Sequence, residues 1–133
     1  MGSTAKNAQD IPELLRQAWD AGDAEAYGNL FTEEAPYVVF RGDVLLGRDQ
    51  IREAHHGLFT TSAKGTKLIA KVLQSTMIDE GTCVLLTIGG IGRGELVYDK
   101  FQTLTLIRRD GHWLVAAFQN TEMSARSQEQ YNN

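Results

Sequence analysis

The chain has very little cysteine and no long apolar run. Cys83 is the single cysteine among 133 residues, which excludes an intrachain disulfide and any metal site built from several cysteines. It lies inside an apolar, strand-like stretch, and we expect a buried structural thiol there rather than a nucleophile. The start of the sequence lacks a long apolar segment, which predicts neither a signal peptide nor a membrane span, and hence a cytoplasmic protein.

Basic clusters and metal-ligand spacings are also missing. The net charge is -4 and Arg108-Arg109 is the only dense basic pair, so nucleic-acid binding is not expected. His55 and His56 are adjacent rather than four apart, and we predict no metal. The glycine-rich run 89–94 lacks a following Lys-Ser/Thr pair and a helix, which argues against a phosphate loop. We predict a flexible hairpin loop there, and no cofactor.

What is present is an ordinary globular composition in a chain long enough for one domain. Hydrophobic residues make up 42% of the sequence and charged residues 23%. Residues 1–9 are small and polar, which predicts a flexible segment, and residues 124–133 form a polar tail that we expect to fray. The domain is assigned to residues 10–123.

Helical signals come first in the chain and strand signals follow. Asp10 and Asp23 are helix caps and Gly22 suits a helix end, while a third helix begins after Gly47. The strand-like segments are 37–40, 44–46, 67–78, 82–89, 96–109 and 113–122. This order predicts an α+β cone, in which three N-terminal helices pack on a curved, mostly antiparallel sheet and enclose a pocket.

Several short motifs resemble one family of this architecture. The motifs are Trp19-x-x-Gly22-Asp23, residues 30–35, Gly42, Gly47-Arg48-x-x-Ile51, residues 108–113 and residues 118–121. Together they resemble the SnoaL-like, nuclear-transport-factor-2-like superfamily, and within it the SgcJ/EcaC family, over residues 11–121. Members of that branch occur with the polyketide machinery for enediyne antibiotics. The resemblance specifies a fold more closely than a function, because this fold hosts isomerases, cyclases, dehydratases and binding proteins.

The resemblance also allows a comparison with the ketosteroid isomerases, which the general literature of enzyme pKa tuning uses as an example. Their base, helix tyrosine and acid fall on Val39, Leu15 and Thr103 of this sequence. None of these side chains can take the corresponding role. A proton shuttle of that type is therefore not expected.

His55 is the strongest catalytic candidate. It shares a helix face with Ile51 and Phe59, and a neutral imidazole there could act as acid or base. A packed histidine that bonds the backbone is the alternative. Asp99 has the strand parity of Phe101, but an exposed strand end accounts for it as well.

Asn120 is the second candidate, because its amide could hold a carbonyl or hydroxyl, although a purely structural bond is an equal alternative. Tyr37 could orient one polar ligand group. The predicted cavity also contains apolar and neutral residues that would bind substrate: Trp19, Val39, Phe59, Phe101, Thr103 and Phe118.

Such a cavity suits a flat, weakly polar ligand such as a polyene or aromatic polyketide. One hypothesis is cofactor-free cyclisation, isomerisation or dehydration, with His55 moving the proton while Asn120 and Tyr37 hold a carbonyl oxygen. The other is a non-catalytic carrier or accessory protein that sequesters the intermediate or docks on a polyketide synthase. We also predict a homodimer through an apolar outer sheet face, formed by Thr87, Leu104, Leu106, Leu114 and Val115.

Overall fold

The computed structural model describes residues 4–133, and the first three residues lie outside it. It contains four α-helices and six strands within that range. The helices are α1 (Ile11–Asp20), α2 (Ala24–Gly28), α3 (Arg48–Thr60) and α4 (Ala125–Asn132). The strands are β1 (Pro36–Val38), β2 (Val44–Leu46), β3 (Lys67–Asp79), β4 (Thr82–Gly92), β5 (Lys100–Arg109) and β6 (His112–Glu122).

The strands form one open sheet in the order β2-β1-β6-β5-β4-β3. Every neighbouring pair is antiparallel except β1 and β6, which run parallel. The long strands β3 to β6 are joined by short turns, and bulges in β3 and β6 increase the curvature. The predicted α+β fold with a curved, mostly antiparallel sheet is confirmed.

The helices pack on the concave face of the sheet. α1 buries Ile11, Leu15 and Trp19 toward the core, as its apolar spacing predicts. Its end is joined to β3 by two polar contacts. The Leu68 amide donates to Asp20 Oδ1 over 2.8 Å, and the Trp19 indole N–H donates to Thr66 Oγ1 over 2.9 Å. These bonds fix α1 across the open end of the sheet, where it forms one wall of a cavity.

The start of α3 depends on a close approach of two backbone segments. Gly47 has φ +90°, and a Cβ there would lie 2.7 Å from the Glu33 carbonyl oxygen. The next residue, Arg48, donates two hydrogen bonds to the Phe31 carbonyl, at 2.9 and 2.7 Å. This arrangement positions α3 so that Ile51, His55 and Phe59 are buried against the sheet.

The expected outer face of the sheet was wrong. Thr87, Leu104, Leu106 and Val115 are all at most 3% exposed and lie on the concave, core-facing side. Their neighbours in sequence alternate to the convex side, where the half-buried apolar residues are Val84, Leu86, Ile107 and Leu114. Alternation was correct in period but inverted in sign, because apolar residues occupy both faces of these strands.

Three local expectations also differ from the structure. Ala5 is fully buried and pairs with Trp113, so residues 4–9 are anchored, whereas residues 1–3 lie outside the described range. Residues 125–132 form α4 rather than a frayed tail, with Ser124 as its N-cap. Strand β4 continues through Gly92, so most of the expected glycine-rich loop is strand. A Cβ at Gly90 would overlap the Val97 carbonyl, which explains the glycine there.

Among residues 4–133, no helix combines the length and the apolarity that crossing a membrane requires.

Candidate functional site

A cavity of about 480 Å³ lies between α1, α3 and the concave face of the sheet. Its aromatic lining comes from Trp19, Tyr27, Tyr37, Phe40 and Phe118, and aliphatic side chains of both helices and several strands complete it. This volume falls within the range of about 300–1,000 Å³ that is usual for small-molecule sites.

Six of the residues predicted for the site line this cavity. They are Trp19, Tyr37, Val39, His55, Phe118 and Asn120. They come from α1, β1, α3 and β6 and from the segment after β1, so the fold brings together residues that are distant in sequence. Their roles in binding or chemistry stay predictions.

Phe59, Phe101 and Thr103 do not line the cavity. Phe59 packs its ring edge-on against Trp19 at 5.0 Å between centroids, so it supports the wall from behind. Thr103 is exposed on the convex face, and Phe101 lies under Tyr131 of α4 at 5.7 Å between centroids. The inward residues of β5 are Gln102 and Leu104, because the parity of this strand is opposite to the predicted one.

One wall of the cavity is a cluster of stacked rings. Tyr27 stacks on His55 at 4.1 Å between ring centroids, and Tyr37 stacks on Phe118 at 4.3 Å with an interplanar angle of 10°. Trp19 meets His55 edge-on at 5.8 Å. Aromatic packing of this kind holds each ring in one orientation, so the polar atoms that the rings carry are fixed as well.

Those polar atoms form a directed hydrogen-bond chain, which we call the Tyr–His cluster (Tyr27, Tyr37 and His55). His55 Nδ1 lies 2.7 Å from the Ile51 carbonyl, which can only accept, so Nδ1 carries the proton. Nε2 is therefore an acceptor, and it receives the Tyr37 hydroxyl proton across 3.4 Å. The Tyr27 hydroxyl lies 2.8 Å from that of Tyr37 and donates to it. Every hydroxyl proton of the cluster is thus engaged.

Burial keeps the Tyr–His cluster uncharged. Desolvation lowers the pKa of His55 from 6.5 to about 4, although its bond to the Ile51 carbonyl partly opposes the shift. Desolvation also raises the pKa of Tyr37 to about 12, and that of Tyr27 well above 10. At neutral pH the imidazole and both phenols are neutral, and none of the three has a pKa near 7.

A second polar group crosses three strands on the opposite wall; we call it the amide network (Thr87, Gln102 and Asn120). These residues are direct cross-strand partners on β4, β5 and β6. The Thr87 hydroxyl donates to Gln102 Oε1 at 2.8 Å, and Gln102 Nε2 donates to Asn120 Oδ1 at 3.1 Å. All three line the cavity.

The mouth of the cavity is formed by Phe40, Arg41, Asp43 and Lys100. Lys100 Nζ pairs with Asp99 Oδ1 at 2.9 Å and lies 4.6 Å from the centre of the Phe40 ring. Asp99 is therefore a partner of Lys100 at the rim and not a residue of the cavity lining.

The segment after β4 is held beside the mouth by α4. The Asn132 side chain accepts from the Tyr98 amide at 2.8 Å and donates to the Tyr98 carbonyl at 2.7 Å. The Met123 amide also bonds the Asp99 carbonyl at 2.8 Å. The last helix thus fixes the strand edge that carries Lys100.

Four lining residues were missed by sequence reasoning. Tyr27 was predicted as core alone, Thr87 was placed on the outer face, and Gln102 and Lys100 were not considered. Gln102 carried a usable signal, since an amide between apolar strand neighbours needs a buried partner.

The isomerase-type groups are missing from the lining as well as from the sequence alignment. Leu15 and Val39 line the cavity and cannot ionise. Gln102 and Leu104 point inward where Thr103 was expected, and neither is an acid. A carboxylic acid and a carboxylate base of that arrangement are therefore not offered by these positions.

No known protein-family profile matches the sequence, and no curated protein matches it significantly. Solved structures do match. An uncharacterised protein with a cystatin-like fold from Caulobacter vibrioides has 22% identity and a TM-score of 0.78, over 92% of this chain and 91% of that one.

Two further structures carry more specific descriptions. A nuclear-transport-factor-2-like protein of unknown function from Shewanella oneidensis has 18% identity and a TM-score of 0.72, over 86% of this chain and 98% of that one. A ketosteroid isomerase-like protein from Erwinia carotovora atroseptica has 12% identity and a TM-score of 0.70, over 87% and 93% of the two chains. At these identities the likeness concerns the fold, and the chain has the nuclear-transport-factor-2-like, cystatin-like cone fold.

Proposed function

We propose that this chain binds a flat, hydrophobic polyketide or polyene intermediate in its cavity, in the manner expected of an SgcJ/EcaC-type accessory of enediyne biosynthesis. The observation that carries the proposal is the cavity of about 480 Å³ with an aromatic and aliphatic lining. Rigid stacked rings such as Tyr37 and Phe118 suit a planar conjugated ligand, because such a ligand loses little conformational freedom on binding.

The polar groups of the cavity favour binding over proton transfer. A general acid or base works best with a pKa near the working pH. The pKa of His55 is about 4 and that of Tyr37 about 12, so the first is a weak base and the second a weak acid at pH 7. These values support the carrier role, in which the protein sequesters the intermediate and presents fixed hydrogen bonds to it.

A catalytic role is the second candidate, and the contact between Tyr37 and His55 supports it. If a ligand hydroxyl takes the place of the long 3.4 Å Tyr37 bond, His55 Nε2 can accept its proton inside a dry cavity. Cyclisation, isomerisation or dehydration without a cofactor would follow that step, with Asn120 holding a carbonyl oxygen.

The test is product analysis of a polyketide synthase reaction by mass spectrometry, with and without this protein. An unchanged product that co-purifies with the protein is the expected result and supports the carrier. A new or mass-shifted product that disappears with His55→Phe supports the enzyme. An unchanged product that does not bind would contradict both.

The proposed partners are a second copy of this chain and a polyketide synthase. The apolar convex residues Val84, Leu86, Ile107 and Leu114 replace the face first predicted for the homodimer, and they are half-buried in a single chain. Light scattering at micromolar concentration is expected to give twice the mass of one chain, and Leu86→Lys is expected to reduce it to one. A monomeric mass for the unaltered protein would remove the dimer.

A further inference from the structure

The amide network has a direction, and that direction is set by its most buried member. Thr87 is 3% exposed, and within residues 4–133 its hydroxyl has no acceptor other than Gln102 Oε1. A buried hydroxyl that donates to nothing costs about 1–3 kcal/mol, so its proton goes to Gln102. Gln102 must then turn its nitrogen toward Asn120, and it donates to Asn120 Oδ1 at 3.1 Å.

Asn120 is left with its donor side open. Its Oδ1 is engaged, while its Nδ2, which carries two N–H groups, has no partner among the described residues. The backbone makes room for this arrangement, because a Cβ at Gly89 would lie 3.2 Å from both terminal atoms of the Gln102 amide. Thr87, Gln102 and Gly89 thus position one amide without touching a ligand through it.

The Tyr–His cluster on the other wall has the opposite polarity. Each of its protons is already donated, to the Ile51 carbonyl, to His55 Nε2 and to the Tyr37 oxygen. What it still offers a ligand is the lone pairs of the phenol oxygens. The cavity therefore presents donors on the sheet wall and acceptors on the helix wall.

We infer that Asn120 selects ligands that place a carbonyl oxygen against the sheet wall, and that Gln102 and Thr87 are the positioning residues that set this preference. The inference rests on the proposed function and deepens it: the substrate class is a hydrophobic ketone or conjugated carbonyl compound, and an alcohol of the same shape binds more weakly at this wall. A second donor on the ligand, such as a hydroxyl, fits the acceptors of Tyr27 and Tyr37.

Three naphthalenes substituted at the same ring position test the inference by equilibrium dialysis. They are acetylnaphthalene, naphthylethanol and ethylnaphthalene, which differ only in the polarity of one small group. We expect the ketone to bind at least about fivefold more tightly than the alcohol, as one hydrogen bond allows. Equal binding, or tighter binding of the alcohol, would overturn the inference.

Three variants separate position from presence. Gln102→Glu can accept from Thr87 but cannot donate, so Asn120 must turn its nitrogen to it and its oxygen to the cavity. The preference is then expected to invert toward the alcohol. Gln102→Met, of similar length and without polarity, is expected to weaken the preference without inverting it. Asn120→Leu is expected to abolish it and to leave ethylnaphthalene binding intact, which also serves if the buried glutamate prevents folding.

Failure of the proposed function gives a different result. If none of the three compounds binds, ethylnaphthalene included, the hydrophobic site itself is refuted. The side-chain amide protons then decide the inference by nuclear magnetic resonance in the ligand-free protein. One slowly exchanging Gln102 proton beside two fast Asn120 protons supports it, and a protected Asn120 amide proton overturns it.

Discussion

His55 is a titratable side chain with 2% of its surface exposed and a fixed tautomer. Its pKa is about 4 in the folded protein and near 6.5 in the unfolded chain. Between these values the unfolded chain binds more protons, so acid favours unfolding. The contribution of His55 is complete above pH 6.5 and is lost as the pH falls toward 4.

We therefore expect the free energy of unfolding to fall by about 3 kcal/mol from this group between pH 7 and pH 4. Urea denaturation across that range measures it. His55→Phe keeps the ring stacking on Tyr27 and removes the titration, so the variant provides the control. Parallel pH curves for the two proteins would contradict the burial argument.

The two phenols of the Tyr–His cluster differ in what their loss leaves behind. Tyr37→Phe strands the Tyr27 hydroxyl and His55 Nε2 together, whereas Tyr27→Phe removes only one donor to Tyr37. We expect Tyr37→Phe to destabilise the protein by about 1–3 kcal/mol and Tyr27→Phe by about 1 kcal/mol. Chemical denaturation of both variants makes the comparison, and an equal or reversed order would show that the chain runs the other way.

At this scale the sequence was informative for side chains that periodicity places. His55 on the apolar face of α3 and Asn120 on β6 are both at the cavity, as helical and strand spacing indicated. Hydrogen-bond partners were not predictable, because Tyr27, Tyr37 and His55 meet only through the tertiary packing of three separate elements.

Among the elements, β5 shows where sequence reasoning failed. Apolar residues occur at both parities of this strand, with Phe101 and Ile107 on one face and Leu104 and Leu106 on the other. Phe101 is covered by Tyr131 of α4, an element that the polar composition of the tail did not predict. A strand covered on both faces loses the alternation from which parity is derived, so Thr103 was placed inward and Gln102 was missed.

Helix α4 has a testable task at the edge of the sheet. Asn132→Ala removes both bonds to the Tyr98 backbone. We expect the Tyr98 amide to exchange its hydrogen about tenfold faster, while the global free energy of unfolding changes little, because the contact is exposed and local. Hydrogen exchange followed by nuclear magnetic resonance measures this effect.

Gln130→Ala is the matched control, since Gln130 is an exposed residue of the same helix. It is expected to leave Tyr98 exchange unchanged. If both variants accelerate exchange equally, helix propensity rather than the Asn132 contact holds the segment.

For the whole molecule, the order of helices and strands was predictable because capping residues and glycines mark most of the boundaries. Gly22, Gly47 and Gly111 all adopt positive φ at the ends of elements. The parallel pairing of β1 with β6 joins residues about 80 apart in sequence, and no local pattern encodes such a contact.

The cavity is a cost to stability that filling should recover. Val39→Phe adds a ring to the lining, and we expect weaker ethylnaphthalene binding, by at least about tenfold, with unchanged or increased unfolding free energy. Val44→Phe adds the same ring at a position that is 52% exposed on β2, and it should leave binding unchanged. Dialysis and thermal denaturation of the pair give the answer, and loss of binding in both would argue against occupancy of this cavity.

Cys83 has no exposed surface, and it is the one cysteine of the sequence. The folded protein therefore offers no ready target for maleimide dyes or spin labels. A cysteine placed at Leu46, which is 62% exposed on the hairpin that adjoins the mouth, becomes a unique attachment point without removal of the native one. Spectroscopic reporters can thus follow the entrance of the cone while its interior stays intact.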